Sequence, residues 1–300
     1  MTAAVTMPRA APGRLSRVPA PALVLAAILS VQAGAGIARQ LFDDLGAAGT
    51  TLVRLGLSAL VLGALVRPRV RRWTRRQWLA VAVLGVVMGA MNLLFYLSLR
   101  TVPLGVAVTV EFLGPLMLAL AQTRRRVDVA WAVLAAGGVA LLGLQTTTDI
   151  PLSGLALAFA AGLCWVGYIL ASAHVGAVLT GLEGLAGALA VATVLVLPFG
   201  LSGATGVLDQ PVLLLAGAGV ALLSSVVPYG LEMLALRRLP TRVFGILMSL
   251  EPAAGALSGL VVLGQALHAR EVVALVLVSA ASAGTTMTRR TGPAATTAPS

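Results

Sequence analysis

Two glutamates, Glu111 and Glu251, stand in the middle of long apolar runs, and each has a proline close behind it, Pro115 and Pro252. An ionisable side chain in hydrocarbon is costly and faces a partner or a cavity. A carboxyl placed there can hold a cationic group or exchange a proton; the structural alternative is a protonated carboxyl hydrogen-bonded to a neighbouring helix. The prolines add a second source of polarity, because Pro cannot donate to the carbonyl four residues earlier. Pro115 strips the Glu111 carbonyl of its helical partner and Pro252 does the same to Met248, so both helices are expected to kink and to expose a carbonyl.

Other polar positions interrupt apolar runs at Gln32, Asn92, Tyr96, Trp165, Tyr168, Ser224, Ser225 and Tyr229. They could line a cavity, although interhelical hydrogen bonding or interface anchoring is the simpler account of any single one. Arg54 lies near the outer end of its run. Asp43 or Asp44 could neutralise it locally, and its forked donors would equally suit a carboxylate. Glu232 follows Pro228, another expected kink, and the nearby Arg237, Arg238 and Arg242 favour an interfacial ion pair.

Enzymatic constellations are missing. The two histidines, His174 and His268, are expected at loop edges, and no HExxH, GxSxG or CxxC pattern occurs. Gly34-Ala35-Gly36 lacks a third glycine, and without a P-loop the chain cannot drive anything by its own ATP hydrolysis. No cofactor or metal is expected.

The elements that must position these residues follow from composition. The chain has 300 residues, 59% apolar and 10% charged, with a mean hydropathy of +0.99. A soluble domain carries about 25% charged residues, so this is an all-α integral membrane protein. Ten apolar runs are long enough to span, at roughly 20–38, 49–66, 77–99, 102–121, 127–145, 152–172, 180–199, 211–235, 241–264 and 271–287. Arg54 interrupts the second and Glu183 stands near the start of the seventh. No room is left for a soluble catalytic domain. At about 1.5 Å per residue, Glu111 lies about 13 Å into the fourth run, and Glu251 reaches a similar depth in the ninth from the opposite side. The spacings Gly85-x3-Gly89 and Gly255-x3-Gly259 read as close helix packing.

The net charge of +11 comes from 21 basic residues, all of them Arg. With a cytoplasmic N-terminus, every Arg except Arg39, Arg54, Arg100 and Arg270 falls in an inner segment, so the positive-inside rule places both termini in the cytoplasm of a multi-pass cell-membrane protein. Short basic loops at the headgroups meet anionic lipid; nucleic acid is excluded as a partner. The single cysteine, Cys164, falls within a span and gives no disulfide framework. The first run follows Arg9, Arg14 and Arg17 like a signal peptide, but nine later runs favour an uncleaved anchor. Residues 1–19 and 288–300 are expected to be cytoplasmic tails, the latter disordered.

A shift of 137 residues aligns Leu97-Ser98-Leu99-Arg100 and Pro103 with Leu234-Ala235-Leu236-Arg237 and Pro240, and Pro115 with Pro252. Two halves of five spans each, 20–146 and 151–287, would then enter the membrane in opposite senses. Such inverted repeats are a transporter architecture with the site near the midplane between halves.

Three stretches, GAMNLLFYLSLRTVPLGVAVTVEFLGPL (89–116), GLCWVGYILAS (162–172) and PYGLEMLALRRLPTRVFGILMSLEPA (228–253), resemble the threonine/homoserine exporter branch of the drug/metabolite transporter superfamily, whose halves are EamA-type domains. The resemblance covers roughly residues 20–287; Arg39 to Gly49 departs most from it. It implies a ten-helix inverted-repeat fold and proton-driven efflux of small neutral amino acids, with other metabolites or cationic drugs as the alternative cargo. It draws attention to Asn92, Tyr96, Glu111 and Pro115, and to Tyr229, Glu232, Glu251 and Pro252. The expected partners are a small-molecule substrate, protons and membrane lipid, with a homodimer left open.

Overall fold

The computed structural model describes residues 18–121, 126–143, 150–179, 181–236, 238–239 and 241–288, and all regular structure among them is helical. Nearly all of both expected tails lies outside the described residues, as do Arg124, Arg125 and Arg237. The helices are α1 Ala20–Gln40, α2 Phe42–Val66, α3 Arg75–Ser98, α4 Leu104–Glu111, α5 Leu113–Ala121, α6 Arg126–Gly143, α7 Leu152–Val178, α8 Glu183–Ala204, α9 Gly206–Asp209, α10 Pro211–Ala221, α11 Val227–Leu236, α12 Thr241–Met248, α13 Glu251–Leu263 and α14 Ala269–Thr288.

Among the described residues nine helical segments are long and apolar enough to cross a membrane. The sequence suggests ten, and its fifth, 127–145, is present as the continuous helix α6, within which Val129–Gly138 is the described apolar stretch. Helix ends also differ from the apolar runs for local reasons. α2 starts at Phe42 rather than near 49, because Asp43 and Asp44 in its first turn suit the positive helix end, and it bends at Gly46, whose φ of 65° only glycine adopts at low cost. α7 runs on to Val178, so His174 is an exposed helical residue rather than a loop one. Glu183 opens α8, and its carboxylate accepts hydrogen bonds from the Trp73 indole at 3.3 Å and the Arg69 backbone at 3.4 Å.

Helices from the two ends of the chain interleave: α2 runs along α8, α3 packs on α7 and α8, α6 lies against α14, and α1 is held by α11 and α13. Large apolar side chains such as Leu60, Leu79, Val194, Leu215 and Val261 stay exposed on the outside, as a lipid-facing surface requires. Small residues let the backbones approach. A Cβ on Gly85 would meet the Val191 Cβ at 2.5 Å and the Ala188 carbonyl at 2.7 Å, whereas one on Gly89 would find its nearest atoms at 3.0 to 3.1 Å. Alanine gains about 1 kcal/mol of helix propensity over glycine, but overpacking costs about 1–3 kcal/mol. Gly85→Ala should therefore lower the thermal midpoint in detergent, while Gly89→Ala should leave it near that of the parent.

Two spans break where their prolines stand. α4 ends at Glu111 and α12 at Met248, 137 residues apart, each followed by a short turn and a second helix that carries Pro115 or Pro252. The span from Pro211 is bent differently, through a π-helical turn at Leu222–Val226 just before Pro228.

Candidate functional site

The breaks and the π turn face a common cavity of about 700 Å³. α1 supplies Gln32, α2 Arg54, α3 Asn92, the α4–α5 break Glu111 and Pro115, and α7 Trp165 and Tyr168. From the C-terminal part come Ser224, Pro228, Tyr229, Glu232, Met248, Glu251, Ser282 and Thr286. Residues far apart in sequence thus converge because the helices interleave.

Among the described residues, three carboxylates and one guanidinium line the cavity. Glu111 and Glu251 are buried, at 8% and 6% exposure. Glu111 interacts electrostatically with Arg54, and Glu251 with both Glu232 and Glu111. The Glu111 carbonyl, expected to be exposed, is covered: α7 comes so near that a Cβ on Gly162 would collide with that oxygen, and one on Gly114 with the Gly162 carbonyl. Freed by Pro115, this oxygen is the surface on which α7 packs. Phe112 and Trp165 meet edge to face beside it, centroids 5.7 Å apart.

Arg54 is not neutralised by Asp43 or Asp44. Those two are exposed at the start of α2, some ten residues and so about 15 Å along the helix. Its guanidinium points inward instead. Nη1 donates to the Tyr96 hydroxyl at 3.0 Å and Nη2 to the Ser224 carbonyl at 3.2 Å, while the Cζ lies 5.3 Å from the centre of the Tyr96 ring. Its Nε is buried and without a hydrogen-bond partner.

Tyr96, expected at the cavity, is wholly buried behind Arg54 and does not line it; Phe42 and Phe95 pack against its ring, with centroids 5.6 and 6.1 Å away. Pro252 is buried too and contributes the break rather than a surface. Asn92 lines the cavity with its amide nitrogen given to the Met88 carbonyl at 2.8 Å. The Gln32 Oε1 is buried and unpartnered. Tyr168 and Tyr229 hydrogen-bond to each other across the cavity, and Tyr168 also to Ser172.

Glu232 is expected from the sequence in an interfacial ion pair with Arg237, Arg238 or Arg242; Arg237 and the Arg242 side chain lie outside the described residues. Glu232 lines the cavity beside Tyr168 and Tyr229, and Arg238, near the end of the same helix, donates to the Val18 carbonyl at 3.3 Å. Its spacing carried the clue: Glu232 falls one turn beyond Pro228 and Tyr229, on the face that the bend turns inward. Ser282 and Thr286, four apart on α14, had no comparable signal. Among the described residues no group of His, Cys, Asp and Glu could hold a metal ion.

Comparison with known proteins places the chain in a family and supports its fold. A family model described as the EamA-like transporter family matches residues 152–287. The threonine/homoserine exporter RhtA of Salmonella typhimurium (strain LT2) is 45% identical over 94% of this chain and 97% of its own. The threonine/homoserine exporter RhtA of Escherichia coli (strain K12) is 44% identical over 93% of this chain and 96% of its own. A protein of known crystal structure shares the fold, with a TM-score of 0.58 and 22% identity over 89% of this chain and 96% of that one. The chain belongs to the EamA-like transporter family, as a multi-pass membrane transporter and not an enzyme.

Proposed function

We propose that this chain exports threonine, homoserine and similar small amino acids across the inner membrane, by alternating access coupled to protons. The observation that carries the reading is the pairing of carboxylates with the Arg54 guanidinium in one cavity, on opposing helices. An amino acid presents an ammonium and a carboxylate a few ångströms apart, the complementary arrangement. A volume of about 700 Å³ is in the usual range for small-molecule sites, and the relatives named as threonine/homoserine exporters are similar along almost the whole chain.

In the proposed cycle Glu111 holds the substrate ammonium while the cavity faces the cytoplasm. On the other side it takes a proton and the ammonium leaves. Arg54 holds the carboxylate, and Gln32, Asn92, Tyr168 and Tyr229 supply polar contacts for the rest of the molecule. Glu251 is a second proton or ammonium site. The halves 20–146 and 151–287 act as inverted repeats that rock about the breaks at Glu111 and Met248. Both termini lie in the cytoplasm, as the arginine distribution favours. A membrane-impermeant thiol reagent should then label Ala295→Cys in inverted vesicles and not in intact spheroplasts; the reverse pattern would turn the topology over.

A second reading has one observation in its favour. Three carboxylates against one guanidinium, beside Phe112 and Trp165, would also suit an aromatic cation. Counterflow in proteoliposomes separates the two. Labelled threonine should exchange with threonine and homoserine and ignore a cationic dye. Exchange blocked by the dye and indifferent to homoserine would favour the drug reading.

A further inference from the structure

The π turn before Pro228 leaves two neighbouring carbonyls without helical partners, for separate reasons. In an α-helix the Val227 N–H would bond to Leu223; here it reaches one residue further back, to the Leu222 carbonyl. The Leu223 oxygen is thereby released. Pro228 has no N–H to offer the next oxygen in line, that of Ser224. Unsatisfied buried carbonyls are costly, and both are taken by side chains from the N-terminal part of the chain. Ser30 Oγ on α1 donates to the Leu223 carbonyl at 2.7 Å, and Arg54 Nη2 on α2 donates to that of Ser224 at 3.2 Å.

We propose that Pro228 and Ser30 are positioning residues for Arg54: together they hold the turn in the π register, so that the Ser224 carbonyl remains a fixed acceptor for its guanidinium. With the Tyr96 hydroxyl on Nη1, two of the three nitrogens are then locked. Each of them keeps a second N–H, and these remain as donors for an incoming carboxylate, while Nε is buried and unpartnered. Neither Pro228 nor Ser30 needs to touch the substrate in this role. The inference deepens the reading of Arg54 as the carboxylate-holding group and rests on it.

In Pro228→Ala the restored N–H competes with Arg54 for the Ser224 oxygen. In Ser30→Ala the Leu223 oxygen loses its donor and draws the Val227 N–H back into α register, moving the Ser224 carbonyl. Either change should free Nη2.

The test reads Arg54 directly, without relying on cargo. Purified full-length protein in liposomes is treated with phenylglyoxal, an arginine-selective dicarbonyl, and the rate at Arg54 is followed by peptide mass spectrometry. Pro228→Ala and Ser30→Ala should each accelerate it about fivefold, the factor for one lost hydrogen bond. Ser30→Thr, which keeps the hydroxyl, should match the parent. So should Pro198→Ala, which changes a proline inside α8 away from the cavity. In counterflow the same two variants should raise the apparent KM for threonine by a similar factor with little loss of maximal rate. Unchanged Arg54 reactivity in both would overturn the proposal. Faster modification in a protein that moves no threonine at all would uphold it and remove the cargo reading instead.

Discussion

Replacing Glu111 by Gln should abolish gradient-driven uptake of threonine by inverted vesicles while leaving the protein in the membrane. The amide has nearly the shape of the carboxyl, so the packing of the α4–α5 break on α7 through Gly114 and Gly162 is kept. What is lost is a group that can pair with an ammonium and carry a proton. Truncating one partner of a buried charge pair costs about 2–5 kcal/mol, so the rate should fall by roughly three-hundredfold at the middle of that range. Stability should move the other way. A neutral amide at a site only 8% exposed avoids the desolvation of a carboxylate, so the thermal midpoint should hold or rise. Glu251→Gln is expected to impair coupling less, because among the described residues Glu251 interacts with two other carboxylates and with no guanidinium. Wild-type flux in Glu111→Gln would make Glu111 a structural residue.

Arg54→Gln should fail differently, through binding. The guanidinium is the hub of this part of the cavity: it joins α2 to Tyr96 on α3 and to the Ser224 carbonyl at the π turn. Its removal leaves those two oxygens short of a donor, at about 1–3 kcal/mol for each that stays buried and unsatisfied. It also removes the proposed partner of the substrate carboxylate. The apparent KM for threonine in counterflow should rise by about tenfold to a thousandfold, the range that about 1.4–4 kcal/mol spans. Arg54→Lys should not restore it, since a compact ammonium cannot make the fork's divergent contacts at once. An unchanged KM for threonine would assign Arg54 to helix packing alone.

The broad plan of the molecule was legible because hydrocarbon imposes simple rules. Apolar length gives the spans, and acids at membrane depth are rare enough that Glu111 and Glu251 stood out before any fold was known. The breaks were legible too, since Pro115 and Pro252 each remove a defined hydrogen bond. Side-chain direction was less so. In a soluble helix the polar face marks the outside, but these helices are apolar towards lipid and towards one another, so composition does not say which way Tyr96 or Glu232 points. Tyr96 turned out to be buried behind Arg54, and Glu232 to face the cavity. Arg54 was uncertain for a related reason: Asp43 and Asp44 are near in sequence, while Tyr96 and the Ser224 carbonyl are distant, and only the packing of α2 against α3 and the π turn selects between them. The π turn itself has no simple sequence signature. Pro228 announced a bend, but the one-residue register shift that also frees Leu223 depends on Ser30 from another helix.

The central claim is that a proton gradient drives an amino acid through this cavity by way of Glu111. It is tested most directly in proteoliposomes holding the purified chain, with an imposed pH gradient and labelled threonine or homoserine outside. The account predicts accumulation when the lumen is acidic and the protein's cytoplasmic face is outward, collapse of that accumulation on adding a protonophore, and none with Glu111→Gln. Accumulation that is indifferent to the gradient, or that persists in Glu111→Gln, would contradict it.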